Sequence, residues 1–394
     1  MQKDRPPNWK ETNVAGIGSD LDKKIRAAAA QGEAQWQHVG EKAEVRVWRI
    51  EQFRVVAWPK RKYGQWHCGD SYVVLRTFQP VASSPKLAHD AYIWIGDEST
   101  ADEYGTAAYK MVELDDLLGG AAVQHRETQG RESDAFAELF GGKLTVLRGG
   151  VASGFTHVEA TAAAPHLYRI KGTRGALLLT ELQVRRDSLN SGDCFVLHGG
   201  ERAVWQWNGA SSNVDERRKA GEVARDLAPK ASLVVVDEAA PEAENPAFYA
   251  AVPGTVATLG IFTKHVDVKV ADDKDGAVRA FVPKLYRCTD SGFRKVAEAN
   301  KVQLPVGGSG LRIARSALAA DAAMILDTGF HLYVYCPAAA TGSHRVNAIA
   351  STAAYEKKYR RPTLPVSVVK SGQAVGGFDG AFYDAPPPVC CLCQ

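Results

Sequence analysis

Val45 to Ile50 alternates apolar with charged side chains, the period-two pattern of a strand with one covered face. Ser71 to Thr77 is a nearly continuous apolar run, as expected of a central strand covered on both faces, and His89 to Ile95 supplies another. Thr100-Ala101-Asp102-Glu103 then sets an N-cap and early acids ahead of a helix over Tyr104 to Leu118, which Gly119-Gly120 stops. The order strand, strand, strand, helix recurs. Ala203 to Trp207 is the matching strand of a second unit, with Asn213-Val214-Asp215-Glu216 opening a helix to about Leu227. Leu332 to Tyr335 and a helix over Ser343 to Tyr355 repeat it more weakly.

The opening strands, Val47-Trp48-Arg49-Ile50, Leu167-Tyr168-Arg169-Ile170 and Leu285-Tyr286-Arg287-Cys288, begin 120 and then 118 residues apart. In each unit an apolar run headed by Asp follows: Gly69-Asp70, Gly192-Asp193 and Ala320-Asp321. Such a period is too long for a solenoid and suits a globular domain used three times. A mixed sheet sandwiched between a long and a short helix is the simplest α+β arrangement for each.

Length and composition agree with this. The 394 residues are 45% apolar and 24% charged, ordinary for a soluble globular protein of two to three domains. The net charge of +3 does not by itself imply nucleic-acid binding. No apolar run is long enough to span a membrane, and Met1 to Pro7 has no apolar core of the kind a secretory signal carries. Cys68, Cys194, Cys288 and Cys336 are far apart and suit free thiols of the cytoplasm. There is no Gly-Lys-Ser/Thr loop, no Gly-x-Ser-x-Gly elbow and no Cys or His pair at zinc spacing, so an enzyme is not expected.

Val47 to Phe53, Gly69-Asp70-Ser71-Tyr72, Leu114-Asp115-Asp116, Gln124 to Glu127 and Gly149 to Phe155 together resemble the first domain of the gelsolin superfamily. Asn13 to Lys24 resembles the N-terminal extension of its three-domain severin and fragmin members, and the resemblance thins after about residue 285. It implies three gelsolin-like domains over 36–158, 159–255 and a divergent 284–380. An extension over 1–35, a linker over 256–283 and a tail over 381–394 complete the chain. The implied protein is a monomer of the cytoplasm and cytoskeleton that severs actin filaments and caps their barbed ends under calcium control, or a cap that does not sever.

Calcium takes six to eight oxygens and tolerates irregular geometry. A Gly-Asp that opens a strand offers a carbonyl and a carboxylate, and a Glu in the next helix's first turn offers another carboxylate. That gives Gly69, Asp70 and Glu103 in the first unit, with the carbonyl of Val151 implied by the resemblance. In the second it gives Gly192, Asp193 and Glu216, with a further ligand expected at Asp272 or Asp273. The alternative is that Gly-Asp makes a turn and Glu caps a helix. In the third unit His344 stands where the family has Glu, so that site is expected to be weak or absent. Asp273-Lys274-Asp275-Gly276 has the outline of an EF-hand loop, but Ala271 and Val282 occupy its acidic ends.

The resemblance also makes Glu103 to Leu118 the actin-binding helix, with Thr106, Tyr109, Lys110 and Glu113 on one face. It implies that Asp115, Gly120 and Ala122 share a second calcium with actin, and that Arg217, Arg218 and Lys219 meet the filament side. Phosphoinositide lipids are implied at Lys143, Arg148, Arg169, Lys171 and Arg174. The tail lies outside the family pattern. Cys391-Leu392-Cys393-Gln394 has the form of a prenylation box, with Cys390 placed for a second acyl chain, so lipid-anchored membrane association is an expectation here.

Overall fold

The computed structural model describes residues 30, 32–151, 165–173, 176–200, 203–254, 256–259, 262–265, 281–289, 292–303, 309–339 and 348–384. Three copies of one arrangement emerge. In the first, strand Glu44–Glu51 pairs antiparallel with Ser71–Phe78, which pairs antiparallel with Ala88–Ile95. Helix α1 (Ala101–Leu117) then returns the chain to Val123–Thr128, parallel to Ala88–Ile95. The short helix α2 (Asp134–Glu138) follows. The second copy uses His166–Thr173, Cys194–His198 and Ala203–Asn208. Helix α3 (Val214–Leu227) leads to the parallel strand Ser232–Asp237, and the short α4 (Pro246–Ala251) ends the copy. The third uses Lys284–Thr289, Met324–Asp327 and Leu332–Cys336, then α5 (Ala348–Tyr359), the parallel strand Val366–Lys370 and the short α6 (Gly376–Asp379). Within the described residues α5 runs past Tyr355 to Tyr359, while Ser343 lies outside them.

Alternation along the strands builds the sandwich. Val73, Leu75, Ala91 and Ile93 pack with Ala107, Met111 and Leu114 of α1. Their neighbours Tyr72, Val74, Tyr92 and Trp94 pack on the opposite face with Phe136 and Ala137 of α2. The same division places Val196 with Ala220 of α3 and Leu197 with Phe248 of α4, then Ile325 with Tyr355 of α5 and Leu326 with Phe378 of α6. The first two of the three helix starts predicted from sequence are capping boxes: Thr100 with Glu103, and Asn213 with Glu216. Gly119 and Gly120, both at φ +72°, end α1.

The units are not separate sandwiches. Val366–Lys370 pairs antiparallel with Val123–Thr128 through Val366–Arg126, Ser367–His125 and Val368–Gln124. This fuses the first and third units into one ten-stranded sheet. Lys143–Leu147 of the first unit runs parallel to Ala176–Leu182 and, with Gln65–His67 beside it, extends the second unit to seven strands.

The junction of units one and three is a buried polar clasp. Arg126 donates to Glu356 at 2.7 Å and to the Leu364 carbonyl at 3.0 Å. The Ser367 hydroxyl lies 2.7 Å from His125 Nδ1 and 2.7 Å from His331 Nε2. The remaining His125 nitrogen faces Asp90 at 3.6 Å. Burial, and after it the nearby His125, pushes His331 down from 6.5 to about 3. A histidine with a lowered native value holds fewer protons folded than free, so its contribution to stability is lost as pH falls from 6.5 towards 3. Lower protection of Val366–Lys370 and Val123–Thr128, after correction for intrinsic exchange rates, is therefore expected at pH 5 than at pH 7.5. Equal, intrinsic-rate-corrected protection at both values would contradict this.

Candidate functional site

Asp70 heads the central strand of the first unit and is fully buried. Its Oδ1 accepts the Val151 amide at 2.7 Å, and its Oδ2 accepts Tyr72 at 3.1 Å and Arg49 at 3.3 Å. The Gly69 amide donates to the Gly149 carbonyl at 2.8 Å. A Cβ on Gly150 would lie 2.5 Å from Asp70 Oδ1, so the crossing of these two segments depends on glycine. Glu103 Oε2 accepts the Thr100 amide and the Ser99 hydroxyl, each at 3.2 Å, and Ser99 meets the Ser71 hydroxyl at 2.8 Å. Two hydroxyls therefore link Glu103 to the residue beside Asp70. Glu103 does cap its helix, and it does so within this cluster.

The second unit repeats the construction. Asp193 Oδ2 accepts Asn190 at 2.8 Å and lies 3.8 Å from Arg169, while Asn190 Oδ1 accepts the Gly192 amide at 2.9 Å. Glu216 accepts the Gly172 amide and the Asn213 amide, each at 3.0 Å. Burial raises the Glu216 carboxyl, and the charge of Asp193 raises it further, so the two carboxylates act on one another. Two carboxylates that act on one another supply oxygen donors of the kind a hard divalent cation takes. No group of three or more His, Cys, Asp or Glu occurs at metal-binding range among the described residues, so such an ion would also need backbone carbonyls.

The third unit does not fit. Its Asp321 side chain is 69% exposed and bound to Arg287 at 2.8 Å. A fully buried acid of that unit is Asp327, held by Arg361 at 2.9 Å and by Tyr355 at 2.9 Å. His344, Asp272 and Asp273 lie outside the described residues. A feature missed in the sequence is that Arg49, Arg169 and Arg287, third in each opening strand, each pair with that unit's leading Asp. The repeat itself carried that signal.

On α1, Tyr109 is 48% exposed and Tyr104, which sequence reasoning passed over, is 44% exposed. Thr106 is half-buried and donates to the Asp102 carbonyl. Glu113 corrects the expected binding face: it is 1% exposed and accepts Trp36 Nε1 at 2.7 Å. Lys110 is drawn to Glu113 at 3.0 Å and Glu33 at 3.2 Å, so the segment around Trp36 covers that side of the helix. Asp115 accepts the Ala122 amide at 2.9 Å and is joined, with the Gly120 and Ala122 carbonyls, by Lys370 of the third unit.

Arg217 and Arg218 are exposed on α3 and Lys219 is half-buried; Arg217 donates to Ser212, and the other two share Glu222. Of the expected lipid-binding bases, Lys143 and Arg148 are exposed, Arg169 is engaged with Asp193, and Lys171 lies on the opening strand of the second unit. Arg174, Cys390 and Cys391 lie outside the described residues.

Residues 59–137 and 178–246 match the gelsolin repeat. Gelsolin-like protein 1 of Lumbricus terrestris is 33% identical over 383 residues, 95% of this chain and 96% of that protein. The chain belongs to the gelsolin superfamily. Severin of Echinococcus granulosus is 31% identical over 389 residues, 97% of this gelsolin-family chain and 99% of severin, so the three-unit extent is severin-like. Villin-2 of Arabidopsis thaliana is 36% identical over 359 residues, 89% of this chain and 34% of villin-2.

Proposed function

We propose that this gelsolin-family chain severs actin filaments and caps their barbed ends under calcium control. The observation that carries the reading is the pair of sites built alike in the first two units. In each, a buried strand-opening Asp, an Arg and a helix-capping Glu meet at one sheet end. Asp70 and Glu103, with the Gly69 and Val151 carbonyls, would hold calcium in the first unit, and Asp193 and Glu216, with Gly192, in the second, where the ion would supply a hard positive charge. Arg49 holds Asp70 and Arg169 faces Asp193, so each carboxylate already has a positive partner that such an ion would replace. In this reading α3 meets the filament side with Arg217, Arg218 and Lys219, and α1 enters the cleft between actin subunits with Tyr104 and Tyr109 forward. Exposed Lys143 and Arg148 support a smaller phosphoinositide-binding surface than the sequence implied.

Sedimentation of preformed filaments with and without calcium tests the reading. Severing moves actin to the supernatant at substoichiometric protein and multiplies filament ends, whereas a cap that does not sever leaves end number unchanged. Asp70→Ala with Glu103→Ala should weaken the calcium response, and no calcium dependence in the parent chain would reject the proposal. Reversing Arg217, Arg218 and Lys219 to Glu should slow severing by about tenfold and flatten its salt dependence, with monomer binding through α1 unchanged. Unaltered severing at every salt concentration would make those bases a solvated face.

A further inference from the structure

Asp115, Gly120 and Ala122 already enclose a cation, and the chain supplies it. Lys370 ends the strand that joins the third unit to the first. Its Nζ donates to Asp115 Oδ2 at 2.7 Å, to the Gly120 carbonyl at 2.7 Å and to the Ala122 carbonyl at 3.3 Å. An ammonium has three donors and no acceptor, so these three oxygens use all of them. One carboxylate and two carbonyls are also what a hard divalent ion takes from a protein. Both partners hold the turn in place. Asp115 Oδ1 accepts the Ala122 amide at 2.9 Å, and from the third unit Gln373 donates to the Ala121 carbonyl at 3.0 Å and the Ala122 carbonyl at 3.2 Å. Gln373 is itself set by accepting the Lys370 amide at 2.8 Å.

We infer that Lys370 is a tethered cation standing where the first unit would hold a second divalent ion, apart from the Asp70 and Glu103 site, so that the third unit and that ion compete for one set of oxygens. The inference rests on the calcium reading above and deepens it. With Nζ in place the single carboxylate is neutralised, and a second cation among the same oxygens would be repelled at bonding range. The ion therefore enters only as Val366–Lys370 leaves, and departure of Lys370 uncovers Asp115 in the same step. Control of this site is competitive displacement, set by the affinity of one lysine for its three oxygens.

The full-length chain tests this through Lys370→Met, which keeps the stem without the charge, and Lys370→Arg, which keeps a charge. Calcium uptake is measured by titration calorimetry without actin, and hydrogen exchange of Val123–Thr128 is followed across the same titration. Lys370→Met should bind one more calcium than the parent, or open at calcium lower by on the order of tenfold, the loss of one charge-assisted contact. Lys370→Arg should follow the parent, and adding Asp115→Asn to Lys370→Met should remove the gain. Should Lys370→Met not fold, Lys370→Gln carries the same expectations. If the parent binds calcium in its other sites while the uncharged variant gains neither ion nor sensitivity, the tethered-cation inference falls alone. If the parent binds no calcium at all, the calcium reading falls with it.

Discussion

Changing Asp193 to Asn together with Glu216 to Gln should abolish calcium-induced stabilisation of the second unit while leaving the calcium-free fold nearly unchanged. Burial and the neighbouring Asp193 both raise the Glu216 carboxyl, so the resting unit carries two like charges at a cost. An acid whose folded value is raised contributes stability at low pH and loses it as pH rises through that value. Amides remove this term. Against it, the Gly172 or Asn213 amide loses an acceptor at 3.0 Å, a loss of about 1 kcal/mol. The two terms oppose one another, so little net change is expected without calcium. With calcium at a hundred times its dissociation constant, the parent gains about 2.7 kcal/mol per site, which the variant forgoes. Thermal melts with calcium and with chelator measure both quantities. A variant that kept the parent's full calcium shift would remove these residues from the site.

Arg126→Met should open the junction between the first and third units without calcium. Arg126 and Glu356 are both buried, and the junction they anchor holds three strand pairs beside the contact of Ser367 with His125 and those of Lys370 and Gln373 with the turn after α1. Losing the guanidinium leaves the Glu356 carboxylate buried with the Leu364 amide, at 3.0 Å, as its hydrogen-bond donor. Breaking one side of such a pair costs roughly 3–5 kcal/mol, enough to open the junction. Small-angle scattering should show a larger radius of gyration in chelator. Replacing both partners, Arg126→Met with Glu356→Leu, should restore compactness, because no charge is then stranded. A single variant as compact as the parent would show that the sheet pairing holds without the clasp.

The elements of each unit were legible because local rules write them. Ser71 to Thr77 reads as a two-faced strand, Thr100 and Asn213 read as caps, and Gly119-Gly120 reads as a stop. Asp70, Glu103, Asp193 and Glu216 stood out for the same reason: each sits at a fixed distance from a recognisable start. What failed to show were meetings between distant segments. Val366–Lys370 reads equally well as a strand whichever edge it joins, and nothing local says that its partner is Val123–Thr128. The burial of Glu113 under Trp36 was hidden because helical spacing puts it on the same face as the exposed Tyr109. Lys370 belongs to no motif in the sequence, and only the fold puts it beside Asp115.

The two sheet continuities are unequal in kind, and that gives the molecule a mechanical order. Lys143–Leu147 of the first unit lies inside the second unit's sheet, bonded on one side to Ala176–Leu182 and on the other to Gln65–His67. The first two units thus share backbone and should melt as one cooperative block. The third is attached edge to edge through a short stretch and a polar clasp, with a complete core of its own. Pulled from its ends, the chain should let the third unit go as a folded body at low force, and only then yield the first two together.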